Sequence, residues 1–141
     1  MTTIVYRNGI LAADTRSTRN DSIEPSESNK VFRLKDGRLF AWCGKSGIGI
    51  RVREWFNNPR LSLPTYDDTE GGAVIVATNG DLFTFECGAL VPAAKAPYLA
   101  MGSGRHEAYG ALAMGASARK AVSVAMMFDT STGGRVTWLR L

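Results

Sequence analysis

Asn8-Gly9 falls between two short β-rich stretches, residues 2–7 and 10–14. A tight two-residue turn needs positive φ at both positions, and Asn-Gly is the pair best suited to it, so this is a strong hairpin signal. It commits the first residues of the chain to a sheet, and everything later must be built onto that hairpin. A second unit of the same kind follows, residues 72–78 and 82–87 around the turn Asn79-Gly80-Asp81. Between the two, residues 29–34 and 38–43 read as strands joined by Lys35-Asp36-Gly37. Residues 15–27 are polar, hold Pro25 and read as loop.

Helical patterning begins after Gly44-Lys45-Ser46-Gly47 and runs to about Phe56, with Ile50, Val52 and Trp55 among its apolar positions. Asn57-Asn58-Pro59 stops it. Residues 60–72 look irregular. Residues 98–101 form a short strand ahead of Gly102-Ser103-Gly104, and two Ala-rich helical stretches follow, at about 105–114 and 117–127. Residues 129–134 make a turn and 136–141 a closing strand. Hairpins, then helices, then a strand suggest two sheets flanked by helices, an α+β arrangement.

At 141 residues the expectation is a single domain over residues 1–141, long enough to bury a core without disulfides or metals. No apolar run approaches the ~18–20 residues that span a bilayer, and Arg7, Asn8 and Asp14 interrupt any signal-peptide core. Cys43 and Cys87 sit in apolar, strand-like stretches and read as buried thiols of a reducing compartment, so the expected location is cytoplasmic. One histidine, His106, and two separated cysteines make no zinc set. The net charge of +4 comes from scattered arginines without a basic run, which speaks against a nucleic-acid partner.

The residues that could carry chemistry begin at Thr2. Removal of Met1, usual before so small a residue, would leave a hydroxyl and a free α-amine on one residue. A threonine hydroxyl needs an adjacent base, and an α-amine with an unperturbed pKa near 7.7–8.0 is a suitable one. Read alone, Thr2 more simply begins an edge strand. Asp14 closes the strand paired with that of Thr2, and Lys30 opens the third strand. A lysine near Thr2 would favour the alkoxide and an aspartate would keep that lysine charged, but the same two residues could form a surface ion pair. Gly44 could aim a backbone N–H at an oxyanion or be a plain turn. Gly102-Ser103-Gly104 is half a phosphate loop without the full pattern. His106 reads as a helix-surface residue, and Trp42 and Trp55 read as core.

Taken in order, several segments resemble the β-type subunits of proteasomes, above all the bacterial HslV-type (ClpQ) peptidases. They are Thr2-Thr3-Ile4-Val5, Ala12-Ala13-Asp14-Thr15-Arg16-Ser17-Thr18 and Asn29-Lys30-Val31. Ala41-Trp42-Cys43-Gly44, Met101-Gly102-Ser103-Gly104 with Ala108-Tyr109-Gly110, and Asp129-Thr130-Ser131-Thr132-Gly133-Gly134 complete the series. The resemblance covers nearly the whole chain. It implies an N-terminal nucleophile (Ntn) hydrolase with a four-layer αββα sandwich. It matches Thr2 to the catalytic threonine, Asp14 and Lys30 to the active-site aspartate and lysine, and Gly44 to the oxyanion-hole glycine. Ser103 matches the serine near the threonine amine and Asp129 the aspartate supporting it, while Thr132 stands where serine is usual. Trp42 falls where the family shapes the pocket for the residue before the cut bond.

The activity so implied is a threonine-type endopeptidase acting on peptides or unfolded proteins through an acyl-enzyme, without cofactor or metal. The implied assembly is a homo-oligomeric ring, with an AAA+ unfoldase as a further partner. Alternatives are a small-amide amidase of the same fold and a non-catalytic scaffold. The chain departs from the family pattern in three places. Lys45 replaces a small residue after the glycine, the first hairpin is shorter, and residues 59–72 leave no room for the second long helix that helps build ring contacts. One helical layer is therefore expected to be reduced, with Leu61, Leu63 and Tyr66 over part of the uncovered sheet.

Overall fold

The computed structural model describes residues 1–67, 69–93 and 96–141; Asp68, inside the stretch read as irregular, lies outside the described residues. Strands β1 (Thr3–Arg7) and β2 (Ile10–Asp14) form the expected hairpin, with Asn8 at φ 51° and Gly9 at φ 75°. Both turn residues are left-handed, as the Asn-Gly signal requires. Strands β3 (Arg16–Arg19) and β4 (Ser22–Glu27) follow, then β5 (Val31–Arg33), β6 (Leu39–Gly44) and helix α1 (Ser46–Asn57). Strands β7 (Gly71–Val76), β8 (Leu82–Glu86), β9 (Ala89–Pro92) and β10 (Tyr98–Gly102) lead to α2 (Arg105–Ala113), α3 (Ala118–Phe128) and β11 (Val136–Arg140).

The strands assemble into a four-stranded sheet, β10-β1-β2-β11, and a five-stranded sheet, β5-β6-β7-β8-β9. β1 therefore has a partner on both sides and is buried on both faces. Alternation divides its side chains between two cores. Ile4 and Tyr6, with Leu11 and Ala13 of β2, meet Val31, Leu39, Ala41, Val74, Val76 and Leu82 of the second sheet. Val5 and Ala12 point the other way, onto Ala108, Leu112, Ala118, Ala121 and Val122 of α2 and α3. The small residues of α3 let it lie close to the sheet, and Ser117 caps it by accepting the Lys120 N–H at 3.2 Å.

On the far side of the second sheet, α1 contributes Val52 and Phe56 to a core with Leu34, Phe40, Trp42, Ala73, Ile75 and Phe85. The layers run helix, sheet, sheet, helix, and the outer layer built by α1 is the thin one. Aromatic rings extend the cover: Trp55 stacks on Phe85 at 5.8 Å and Tyr66, from the loop, lies 6.3 Å from Phe85 and 5.4 Å from Trp42. Leu61 and Leu63 cover less, staying 48% and 36% exposed.

Two readings need correction. Residues 15–27 are not loop but a two-stranded ribbon, β3–β4, turning at Asn20 (φ 47°) and Asp21 (φ 64°). Pro25, which has no backbone N–H, is tolerated because among the described residues this ribbon has no third strand that would need one. Cys87 is not a buried thiol. It is exposed, at φ 48°, in the turn after β8, because that strand ends at Glu86. Among the described residues, no helix is long and apolar enough to cross a membrane.

Candidate active site

The site forms where β1 begins, between the ends of β6 and β10. Thr2 is 5% exposed. Its carbonyl accepts the Ser103 N–H at 3.1 Å, and the next N–H, of Thr3, is donated to Asp14 Oδ1 at 2.9 Å. The chain start is thus pinned from two directions. Gly102 at φ +102° makes this approach possible, since a Cβ there would stand 1.7 Å from the Thr2 carbonyl oxygen.

Asp14 is fully buried and acts as a hub. Its Oδ1 takes Lys30 Nζ at 3.1 Å as well as the Thr3 N–H, and its Oδ2 takes the N–H groups of Gly133 at 3.1 Å and Arg16 at 3.3 Å. Lys30 is 8% exposed, so the pair is not the surface ion pair that spacing alone allows. Lys30 Nζ also donates to the Arg16 carbonyl at 2.7 Å and the Met1 carbonyl at 3.3 Å. Burial lowers its pKa, and the Asp14 charge and hydrogen bond oppose that. The Met1 amine donates to Thr18 Oγ1 at 3.0 Å. Its pKa is also lowered, by burial first and by the Lys30 charge second.

A chain of hydroxyls stands on the other side of Thr2. Ser103 Oγ donates to Asp129 Oδ2 at 2.6 Å, and Thr132 Oγ1 donates to the same oxygen. Having given its proton to the carboxylate, Thr132 accepts one from Thr3 Oγ1 at 2.6 Å, and Thr3 Oγ1 in turn accepts the Gly104 N–H at 2.9 Å. Burial would raise the Asp129 pKa, but the bonds from Ser103, Thr132 and the Ser131 N–H outweigh it and hold the carboxyl below its ordinary value. Threonine at 132 keeps the hydroxyl that this relay uses.

Gly44 closes β6 at φ +121°, and a Cβ there would stand 2.2 Å from the Glu70 carbonyl oxygen. Only glycine lets this backbone lie flat against residues 70 and 71. Lys45 stands at the edge of the site, with its Nζ paired to Glu70 Oε1 at 2.9 Å on the surface. Two open clefts meet at this point. One of about 540 Å³ is lined by Thr2, Cys43, Gly44, Gly71, Ser103 and Arg105 among others. The other, of about 300 Å³, is lined by Met1, Thr2, Arg16, Thr18, Gly44 and Lys45 among others. Thr2 and Gly44 border both.

Trp42 borders neither. Its ring is packed over Gly49 of α1, and its Nε1 donates to the Lys45 carbonyl at 3.0 Å. It lines a third hollow, of about 220 Å³, shared with Lys30, Phe32, Ser46, Ile50 and Arg53. The structure thus gathers Thr2, Gly44 and Ser103 at the clefts, with Asp14, Lys30 and Asp129 behind them and Trp42 to one side. His106 is exposed on α2, away from the clefts. Sequence reasoning missed Cys43 and Arg105 as cleft residues. Cys43 was readable as a neighbour of Gly44, but Arg105 carries no signal beyond its place after Gly104.

No protein-family profile matches the chain, and no curated protein matches it. Solved structures do. Thiobacillus denitrificans BPH in complex with Epoxomicin matches with a TM-score of 0.73 at 19% identity, over 99% of this chain and 97% of that one. A second structure of Thiobacillus denitrificans BPH matches at 0.72 and 17%, over 99% and 96%. Eukaryotic HslV from Trypanosoma brucei matches at 0.71 and 16%, over 100% of both chains. The likeness shows that the chain has the HslV-type fold of proteasome β-subunits.

Proposed function

We propose, starting from that fold, that the chain is a threonine-type endopeptidase in which Thr2, freed of Met1, is the nucleophile. The observation that carries this reading is the position of Thr2 and Gly44 on the border between two open clefts. A peptide lying across both clefts would pass its backbone over these two residues, an arrangement suited to extended chains more than to a small amide. In the reaction, Thr2 Oγ attacks the peptide carbonyl and its proton passes to the α-amine, directly or through water. Lys30, kept charged by Asp14, favours the alkoxide. The Gly44 N–H holds the oxyanion of the tetrahedral intermediate. Collapse expels the amine half, which takes the proton, and water then hydrolyses the ester left on Thr2.

Ser103 has a defined part in this scheme. Its proton is committed to Asp129, so its remaining lone pairs are acceptors, suited to orient the amine of a processed Thr2. The hollow beside Trp42 takes the side chain of the residue before the cut bond. A ring of copies would cover the exposed Leu61, Leu63, Leu90 and Val91 on and around the thinly covered sheet, and an AAA+ unfoldase would feed such a ring.

Epoxyketone labelling followed by peptide mapping tests the reading. Chain lacking Met1 should gain one equivalent on Thr2, and Thr2→Ala should gain none. Absence of labelling in protein shown by mass to begin at Thr2 would falsify it.

A further inference from the structure

The hollow beside Trp42 carries more information than its size. Its walls are the aromatic rings of Phe32, Phe40 and Trp42 and the Ile50 side chain, with Ser46 and Gly49 at the α1 side. Two cations line it. Lys30 is neutralised by Asp14 at 3.1 Å. Arg53 is not: among the described residues no carboxylate pairs with it, and its guanidinium carbon stands 4.1 Å above the Phe32 ring. A guanidinium held over a ring in this way keeps the N–H groups turned away from the ring available as a fork. Such a fork binds a carboxylate through two parallel hydrogen bonds.

We infer that this hollow selects an acidic side chain, aspartate or glutamate, on the residue whose carbonyl Thr2 attacks, and that Arg53 is the residue that selects it. The inference rests on the peptidase reading above and adds the substrate class. The link to the reaction is geometric. Ser46 lines both this hollow and the cleft that holds Thr2 and Gly44, while Lys30 forms part of the wall and donates to the Met1 carbonyl. A residue bound across Gly44–Ser46 can therefore send its side chain into the hollow. The methylenes of glutamate would lie against Phe32 and Trp42 and its carboxylate would meet Arg53. A lysine or arginine there would face an uncompensated positive charge, which disfavours it.

The test uses protein shown by mass to begin at Thr2 and three N-acetylated tripeptides bearing a fluorogenic amine after Glu, Leu or Lys. The Glu peptide should have a kcat/KM at least about 10-fold above that of the Leu peptide, and the Lys peptide the lowest. Arg53→Leu should collapse the Glu-to-Leu ratio to about one or below, and Arg53→Lys should restore part of it. A Leu preference in the unmodified chain, or an unchanged ratio in Arg53→Leu, overturns the inference while leaving the peptidase intact. If no peptide is cut, the peptidase reading fails, and calorimetric binding of the same peptides to Thr2→Ala decides the selectivity alone. Tighter binding of the Glu peptide, lost in Arg53→Leu, supports it; equal binding of all three overturns it.

Discussion

Lys30 Nζ lies 3.1 Å from Asp14 Oδ1, and that same oxygen accepts the backbone N–H of Thr3 at 2.9 Å. One carboxylate oxygen therefore fixes both the cation and the strand that carries Thr2. The two cannot drift apart without breaking a bond to Asp14. Because the pair is buried, its removal has consequences that a surface pair would not have.

Asp14→Asn should destabilise the fold on the order of 3–5 kcal/mol, since it leaves Lys30 buried without a counter-charge. A urea titration gives the value from the shift in midpoint at constant slope. A loss below about 1 kcal/mol would mean that water reaches the pair and screens it.

Lys30→Ala should lower peptide turnover by a factor on the order of 10²–10³, as loss of a preorganised electrostatic group does. It should also destabilise the chain, unlike an ordinary exposed lysine, because Asp14 loses its only cationic partner among the described residues. Turnover close to that of the unmodified protein would remove Lys30 from the chemistry.

The rate should depend on pH through the amine of Thr2. A chain-end amine has an ordinary pKa of 8.0, and at Met1 burial and then Lys30 lower it. Removal of Met1 would leave the new amine on Thr2, inside the same pocket beside Lys30, so its pKa is expected to be lowered for the same reasons. With the neutral amine as the proposed base, kcat/KM should rise with pH to a midpoint below 8.0. Lys30→Met should move that midpoint upward. A limb centred above 8.0 in the processed enzyme would exclude the amine as base.

Asp129 gives a separate acid limb in stability. Its folded pKa lies below the ordinary 3.8, so between the two values the unfolded chain binds more protons. The contribution is full above pH 3.8 and is lost as pH falls through the lowered value. Asp129→Asn should flatten the curve of thermal midpoint against pH in that range, while Ser103→Ala should flatten it only in part. Identical acid curves for Asp129→Asn and the parent would show that the Ser103 and Thr132 bonds do not hold the carboxyl low.

Gly44→Ala should open the site. The alanine would carry φ near +121° and press its Cβ on the Glu70 carbonyl, at a cost on the order of 1–3 kcal/mol for the backbone alone. Residues 70 and 71 must move aside. The thermal midpoint should fall and epoxyketone labelling of Thr2 should slow. Normal labelling at a normal midpoint would show that the loop adjusts freely.

Much of this was legible because it is local. The Asn8-Gly9 turn sets the β1–β2 register, and with it Asp14 ends beside the start of β1. Helices α1, α2 and α3 appear within two residues of their expected ends. What sequence patterning hid is long-range. The β3–β4 ribbon lacks an apolar face, since its strands bury little, so no alternation announced it. Thr3, Thr132 and Asp129 form one relay across 126 or more positions of chain, and nothing in their spacing points to it. Resemblance to a known fold supplied Ser103 and Asp129, which the residues alone did not. It placed Trp42 at a substrate pocket, and in the structure Trp42 lines a third hollow that shares Ser46 with one of the clefts.

The pairing of β1 with β10 has a consequence for the life of the chain before it folds. Thr3 lies opposite Gly102, and Thr2 is held by the N–H of Ser103, so the second flank of the N-terminal strand does not exist until about a hundred residues have been made. At about 5–20 residues per second, that leaves roughly 5–20 s in which the Met1–Thr2 bond hangs at the end of an unfinished sheet. On the proposed reading, an aminopeptidase working beside the ribosome would have that interval to remove the methionine. Once β10 docks, the Ser103 N–H holds the Thr2 carbonyl and Thr2 is only 5% exposed, so on that reading trimming of Met1 should be slower from then on. The proportion of competent molecules would then be set by a race between trimming and folding, and faster synthesis or slower trimming should leave more chains capped.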